Sequence, residues 1–343
     1  MIMKKYILTT SGIACCLFLY IASTQAQSNA RTFESFNSGW KFNLGDDAGA
    51  KEVNYNDNNW RSLQLPHDWS IEGKFDKDNP ATAGGGALPG GIGWYRKTFV
   101  LPVSAKDKHV FIDFDGVYMN SEVWINGHYL GVRPYGYSSF RYDLTPYVQF
   151  GSAKNIVAVK VNNAQQPNSR WYSGSGIYRN VWLVTTSDIF VDHWGTYVTT
   201  PTITRQSATI QVKTTVRLLN TVQQNTSLTT IVYDAGGKEV QRKSSAVKWK
   251  DGISEVTQEL LVANPVLWSI DHPTLYKIVS QVSSNGKITD TYTTPFGIRY
   301  FEFDSDKGFL LNGKSIKING VCDHHDLGCL GAAINTRALE RQL

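Results

Sequence analysis

The sequence predicts a mainly β chain: a jelly-roll sandwich, then an immunoglobulin-like β-sandwich, then the first strand–helix unit of a truncated (β/α)8 TIM barrel. Stretches of alternating apolar and polar residues are separated by turn pairs such as Asn126-Gly127 and Asn285-Gly286, which is typical of antiparallel sheets. Residues 308–343 instead predict a hairpin, a strand, a His- and Asp-rich loop and a helix, and histidines just past a strand end are where (β/α) barrels place their chemistry. The 343 residues, 41% hydrophobic and 18% charged, provide enough material for two or three folded domains.

Residues 1–26 predict an export signal. Lys4 and Lys5 precede an apolar run at residues 13–21, and Thr24 and Ala26 are small residues at the two positions that a signal peptidase reads. The apolar run is too short and too interrupted for a membrane span. We therefore expect a periplasmic or secreted protein, with no stable membrane span after the signal is cleaved.

The four cysteines fall into two pairs. Cys15 and Cys16 lie in the signal, where a lipoprotein would need a Leu-rich box that the preceding residues 12–14 match poorly. Cys322 and Cys329 lie in the His-rich loop. An exported protein could form a disulfide between them, although two reduced thiols are the simpler expectation.

Residues 31–186 predict the first sandwich. Val110, Ile112 and Phe114 alternate with polar neighbours, and further short strands follow at residues 121–125, 156–161 and 181–184. Short strands separated by turn pairs favour a sandwich or jelly roll. This segment holds seven of the ten tryptophans, and most of these are expected to fill the core, as Trp does in sandwiches: Trp40, Trp60, Trp69, Trp94, Trp124, Trp171 and Trp182.

Residues 188–295 predict the second sandwich. Ile210, Val212 and Val216 keep period two, and the turn signals at residues 233–237 and 284–286 divide the segment into about seven strands. This length and strand number favour an immunoglobulin-like fold, although the paired cysteines of antibody domains are absent. Residues 296–343 would then start the barrel.

The barrel entry is predicted in three parts. Asn312-Gly313 is a hairpin turn, and Ile316 and Ile318 alternate with polar residues in a buried strand that leads to Val321. A helix follows, capped by Asn335 or Thr336. Its apolar residues have no visible partner, so we expect residues after about Gly320 to be poorly protected and the chain to be cut short.

Four passages, in this order, resemble glycoside hydrolase family 2, the β-galactosidase, β-glucuronidase and β-mannosidase family. They are LPHDWSIEG followed by GGIGWYRKTF (65–73, 90–99), VWINGHYLG with YSSFRYDLTPYV (123–131, 137–148), RWYSGSGIYRNVWL (170–183), and NPVLWSIDHPTLY followed by FGIR (264–276, 296–299). LPHDWSIEG and GVCDHHDLG look most like β-galactosidases. The resemblance implies a sugar-binding jelly roll, an immunoglobulin-like domain and a catalytic barrel.

The substrate-binding residues that the resemblance implies are His324, His325, Asp326 and Arg170. Adjacent histidines at a strand end point to opposite sides, and the family places the first of them toward the sugar, which is His324 here. Structural packing and a metal site are the competing interpretations for this loop. Family members often carry a carboxylate near Arg170, so an ion pair across a domain interface is an alternative role for this residue. Pro66-His67-Asp68-Trp69 is interpreted as structural, because no serine or cysteine nucleophile stands in a recognisable turn.

The resemblance implies retaining hydrolysis of terminal β-D-galactosides, which needs two carboxylates about 5 Å apart. In the family both are glutamates on later barrel strands, and no Asn-Glu dipeptide occurs in this chain. We therefore expect no catalytic residue within it and an inactive fragment. β-Glucuronidase, β-mannosidase and a non-catalytic carbohydrate-binding remnant are the alternatives.

Charge and composition restrict the partners. The net charge of +5 is mild and the basic residues are scattered, which argues against a nucleic-acid partner. The expected partner is a carbohydrate, and a homo-oligomer is left open. No cofactor or metal site is evident in the sequence, and the use of Mg²⁺, Ca²⁺ or Na⁺ is left open.

Overall fold

A computed structural model describes residues 31–219 and 225–343. The predicted signal peptide lies outside these ranges. Within them the chain is mainly β, and the two predicted sandwiches are confirmed. None of the helices in the described ranges has the length and apolar character needed to cross a membrane.

The first sandwich packs a six-stranded sheet, in the order β3-β2-β4-β9-β6-β7, against a four-stranded sheet, β1-β10-β5-β8. All neighbouring strands are antiparallel. The strands are β1 (Thr32–Ser35), β2 (Trp40–Leu44), β3 (Arg61–Leu63), β4 (Gly91–Phe99), β5 (His109–Phe114), β6 (Ser121–Ile125), β7 (His128–Arg133), β8 (Phe140–Asp143), β9 (Asn155–Asn163) and β10 (Val181–Thr186). Short 3₁₀ turns occur at Ala48–Lys51, Ala83–Gly85 and Val103–Ala105.

The core of the first sandwich follows from the alternation seen in sequence. Val110, Ile112 and Phe114 all point inward from β5 and are fully buried. The turn between β6 and β7 places Asn126 and Gly127 at φ 49° and 80°, which is the left-handed geometry that this residue pair accepts most easily. The predicted hairpin is therefore confirmed.

The tryptophans follow the structural prediction with one clear exception. Trp40, Trp60, Trp69, Trp94 and Trp124 are buried, and Trp182 is half-buried. Trp171 is 40% exposed and stands on the loop between β9 and β10. A large aromatic ring left open on a loop indicates a contact surface more than a packing role.

The second sandwich packs β11-β12-β15 against β14-β13-β16-β17. Its seven strands agree with the immunoglobulin-like prediction. Alternate residues of β15 are buried along its whole length, as expected for a strand with one solvent face. The strands are β11 (Ile189–Ile203), β12 (Ser207–Leu218), β13 (Thr226–Tyr233), β14 (Glu239–Ala246), β15 (Ile253–Ala263), β16 (Tyr276–Ser284) and β17 (Lys287–Phe296).

A buried ion pair joins the two sandwiches. The Asp290 carboxylate on β17 is fully buried and accepts hydrogen bonds from Arg31 Nε at 3.0 Å, Arg31 Nη2 at 2.9 Å and the Val191 amide at 2.7 Å. The Arg31 guanidinium also lies 4.9 Å from the ring centroid of Tyr292. Arg31 precedes the first strand, so this pair fixes the start of the first sandwich to the last strand of the second.

We expect Asp290→Ala to lower the free energy of unfolding by about 3–5 kcal/mol, because it leaves a mostly buried guanidinium without its partner. Urea denaturation measures the change. Glu255→Ala is the control, since Glu255 pairs with Lys213 at the surface and its loss should cost at most about 1 kcal/mol. Equal losses in the two variants would show that Asp290 does not hold the interface.

The last residues form a small three-stranded sheet and a short helix. The strands are β18 (Phe301–Asp304), β19 (Gly308–Leu311) and β20 (Lys314–Ser315), and α1 (Thr336–Gln342) follows a 3₁₀ turn at Gly328–Leu330. The predicted Asn312-Gly313 turn joins β19 to β20, with φ of 52° and 76°. The predicted cap is also confirmed, because the Asn335 side chain accepts a hydrogen bond from the Ala338 amide at 3.2 Å.

The predicted buried strand after β20 is wrong. Residues 316–321 have no regular secondary structure, and Ile318 and Val321 are 73% and 91% exposed. A barrel strand needs neighbouring strands to pair its backbone and cover its apolar face. Within the described residues, pairing with β19 continues only to the Ile316 amide, which donates to the Phe309 carbonyl at 2.9 Å.

The expectation of poor protection throughout residues 320–343 is also corrected. Gly331 and Ala332 are buried, and Ala332 packs with Tyr118 and Tyr178 of the first sandwich. The Ile334 amide donates to the Tyr178 carbonyl at 2.9 Å. Residues 331–334 therefore dock on the first sandwich, and this docking brings the His-rich loop to the surface that carries Trp171.

Candidate functional site

A single buried carboxylate organises the docking. Asp68, in the loop after β3, is 2% exposed. Its Oδ1 accepts from the amides of Ser70 at 2.9 Å and Ser175 at 2.8 Å. Its Oδ2 accepts from the Tyr172 hydroxyl and from the Ala332 amide at 2.8 Å. Asp68 thus ties together the LPHDW loop, the β9–β10 loop and the segment that follows the His-rich loop.

Glycines let the backbone approach this carboxylate. Gly174 and Gly331 have φ of 67° and 59°, and a Cβ at either position would collide with Asp68 Oδ2. The Gly-rich sequence around Ser173-Gly174 is therefore needed for close approach to the Asp68 side chain. Burial, together with the Asp68 charge, raises the pKa of Tyr172 far above its usual range, so this hydroxyl stays a hydrogen-bond donor.

The structural interpretation of residues 66–69 agrees with these contacts. His67 is buried, and its Nδ1 lies 2.7 Å from the Tyr95 hydroxyl, while Asp68 binds loop amides. Burial lowers the pKa of His67, which favours the neutral imidazole. Neither side chain lines the pocket described next.

A pocket of about 370 Å³ opens where the His-rich loop meets the first sandwich. It is lined by Tyr137, Trp171, Asp323, His324 and His325. The Trp171 indole donates from Nε1 to the Tyr137 hydroxyl at 2.9 Å, which sets the orientation of both rings. Burial raises the pKa of Tyr137 to about 12, so its hydroxyl remains protonated at neutral pH.

The two histidines take different positions. His324 is exposed and lines the pocket. His325 is half-buried, and its ring packs edge-on against Tyr137 and Tyr178, at centroid distances of 5.7 and 6.0 Å. The Nε2 atom of His325 is buried and has no hydrogen-bond partner among the described residues. One histidine is therefore exposed in the pocket, and the other lines it with a half-buried ring whose Nε2 is buried and unsatisfied.

The other two predicted residues lie outside the pocket lining. Arg170 is exposed beside Trp171, and Asp326 is half-buried near Tyr172. Three lining residues were not predicted: Tyr137, Trp171 and Asp323. An aromatic residue within the polar, Gly-containing segment NSRWYSGSG is a signal that could have found Trp171.

The described residues contain no cluster of three or more His, Cys, Asp or Glu side chains that could hold a metal ion. Cys322 and Cys329 are free and exposed. The pocket thus offers an aromatic face, imidazole nitrogens and one carboxylate, which are groups that bind hydroxyls by stacking and hydrogen bonding.

The two docked β-sandwiches thus carry an aromatic pocket whose groups can bind a sugar by stacking and hydrogen bonding. Residues 33–187 match the profile "Glycosyl hydrolases family 2, sugar binding domain", and residues 190–299 match "Glycosyl hydrolases family 2". The chain belongs to glycosyl hydrolase family 2.

Similar proteins include both galactosidases and glucuronidases. A β-galactosidase of Bacteroides ovatus is 53% identical over 94% of this chain and 38% of its own length. A β-glucuronidase of Formosa agariphila is 36% identical over 85% of this chain and 32% of its own. The crystal structure of a family 2 member from Bacteroides cellulosilyticus, 40% identical, superposes with a TM-score of 0.87 over 90% of this chain and 41% of that one. The chain therefore spans about two fifths or less of these relatives.

Proposed function

We propose that the protein hydrolyses terminal β-D-galactosides with retention, and that the pocket lined by Trp171 and His324 contacts the sugar. The two glutamates of the reaction would come from outside residues 1–343. In this proposal Trp171 stacks on a sugar face, and His324, which is exposed in the pocket lining, hydrogen-bonds a sugar hydroxyl. Asp326 and Arg170 lie outside the pocket lining and have no role in this proposal.

One observation favours a galactoside over a glucuronide. The pocket lining contains the carboxylate of Asp323 and neither lysine nor arginine. A glucuronide carboxylate is best held by charge-assisted bonds from such cations, and Asp323 would repel it. A neutral sugar meets no such repulsion and can donate a hydroxyl to Asp323. β-Mannosidase remains the alternative, because a mannoside is also a neutral sugar.

The test compares the preference for galactoside over glucuronide in the wild-type chain with that in the Asp323→Asn variant. Isothermal titration with methyl β-galactoside and methyl β-glucuronide gives the ratio of the two dissociation constants. We expect the wild type to prefer the galactoside, and the variant to lose about five-fold of that preference, since like charges about 4 Å apart repel by about 1 kcal/mol in water. Glucuronide preference in the wild type, or an unchanged ratio in the variant, would contradict the proposal.

A non-catalytic carbohydrate-binding role is the second candidate, favoured by the same pocket. Binding of methyl β-galactoside without turnover of nitrophenyl β-galactoside by the complete reading frame would support it. Turnover with first-formed β-galactose, observed by proton NMR, would instead support retaining hydrolysis.

We further propose that the protein is exported through residues 1–26. The charged start, apolar run and small residues before position 27 support it. Amino-terminal sequencing of protein from the culture medium or periplasm should begin at Gln27. An intact Met1 in the exported fraction would contradict cleavage at this site.

A further inference from the structure

A second, larger cleft lies between the two sandwiches. It consists of two cavities, of about 550 and 370 Å³. Both are lined by the same residues at their junction: Ser139, Phe140, Arg141, His193 and Trp194. The residues 139–141 come from the first sandwich and the residues 193–194 from the second, so the docking of the two domains creates the cleft.

Trp194 is presented by a β-bulge. The register of β11 with β12 shifts between Val191 and Thr196, and Trp194 adopts φ 51°, an uncommon conformation for a large side chain. Its indole is 66% exposed and stacks on the His193 ring at 4.3 Å. Strained, exposed aromatic residues of this kind are held only where the surrounding structure enforces them, and such positions concentrate at ligand sites.

The polar groups of the cleft are held in fixed pairs. Arg141 Nε and Nη2 bind the two carboxylate oxygens of Asp113 at 2.6 and 2.7 Å, and Arg217 Nε binds Asp192 at 2.8 Å. Burial, and the neighbouring charge of Arg141, lower the pKa of His193. Its neutral ring has a buried Nε2 that lacks a hydrogen-bond partner within the described ranges. The paired guanidinium and carboxylate groups hold one another in place and can offer oriented hydrogen bonds from their remaining donors and acceptors.

The charges of the lining balance. The two cavities together are lined by four arginines and four aspartates: Arg31, Arg133, Arg141, Arg217, Asp113, Asp115, Asp143 and Asp192. A strongly anionic ligand would meet as many carboxylates as guanidinium groups. A neutral ligand rich in hydroxyls can bond to both kinds of group.

The cleft has two exposed aromatic faces. Trp194 lines both cavities, and a second aromatic face occurs in the smaller one, where Phe33 is 57% exposed and stacks on Trp182 at 4.6 Å. The hydroxyls of Thr291 and Thr293 line the same cavity. Aromatic faces with hydroxyl-binding groups between them match a chain of pyranose rings.

We propose that the cleft between the two sandwiches is a binding site for a neutral oligosaccharide, with Trp194 as its stacking platform. The cleft shares no lining residue with the pocket at Trp171, so the two proposals can be tested independently. In the protein this cleft would hold a polysaccharide chain against the surface of the two sandwiches.

The test is a calorimetric titration with galactotetraose and cellotetraose, in a Trp171→Ala background that removes the contribution of the other pocket. Trp194→Ala added to this background should weaken tetrasaccharide binding about ten-fold or more, through loss of the stacking contact. Tyr197→Ala is the matched control, because Tyr197 is 67% exposed on the same strand but lies outside the cleft lining. Trigalacturonate should bind more weakly than either neutral tetrasaccharide.

Three binding results would overturn the proposal. They are no binding of either neutral tetrasaccharide, unchanged binding after Trp194→Ala with folding verified by circular dichroism, and tighter binding of trigalacturonate. A chain that self-associates through this face would also overturn it. Sedimentation velocity would then show a dimer that Trp194→Ala dissociates.

Discussion

Replacing Asp68 with alanine is expected to lower the free energy of unfolding by about 4 kcal/mol or more. The substitution leaves three backbone amides and the Tyr172 hydroxyl without their common acceptor, and each buried unsatisfied donor costs about 1–3 kcal/mol. Urea denaturation monitored by tryptophan fluorescence gives the value. Hydrogen exchange should show the largest local increase at Ala332, because its amide loses both its acceptor and its docking.

Asp47→Ala is the control for this result. Asp47 also accepts from a backbone amide, Gly49 at 2.9 Å, and from a tyrosine hydroxyl, Tyr55 at 2.6 Å, but it is exposed to solvent. Water replaces its lost contacts, so the expected cost is about 1 kcal/mol. An Asp68→Ala cost no larger than this, or unchanged exchange at Ala332, would refute the role given to Asp68.

Replacing Trp171 with alanine is expected to weaken binding of methyl β-galactoside about ten-fold or more, because the open aromatic face of the pocket is lost. Trp171→Phe should retain part of the affinity, since it keeps a ring but loses the hydrogen bond to Tyr137. Isothermal titration of the three proteins gives the comparison. The free energy of unfolding should change little, because Trp171 is 40% exposed and outside the core.

Tyr197→Ala provides the comparison for an exposed aromatic residue remote from this pocket. It should leave galactoside affinity within about two-fold of the wild type, as a surface substitution away from a site does. Equal galactoside affinity in Trp171→Ala and Tyr197→Ala would show that Trp171 does not contact the sugar.

The β architecture could be predicted from local signals. Period-two alternation placed Val110, Ile112 and Phe114 in the core, and the turn pairs at Asn126 and Asn312 adopt the expected left-handed geometry. These features depend on neighbouring residues only. The burial of most tryptophans in the first domain followed from the need of a sandwich for large apolar side chains.

The site could be predicted only in part, because it depends on contacts between distant segments. Asp68 and Ala332 are 264 positions apart in the sequence, and no local pattern predicts their hydrogen bond. The loop histidines were identified by resemblance, whereas the pocket that they form with Trp171 depends on where residues 331–334 dock. The strand predicted at residues 316–321 failed because alternation alone does not form a strand without neighbours to pair with.

The cleft at Trp194 could not be predicted from the sequence, because it also depends on contacts between distant segments. Gly195 is a sequence signal for the bulge alone, and the charge balance of the lining appears only once the two domains are docked.

The most direct measurement is kcat/KM of the complete reading frame on nitrophenyl β-galactoside, with nitrophenyl β-glucuronide assayed alongside. A β-galactoside-specific enzyme, with the preference reduced by Asp323→Asn, is the result expected from a pocket whose lining contains a carboxylate and neither lysine nor arginine. Faster turnover of the glucuronide would contradict the assignment of this pocket to a neutral sugar.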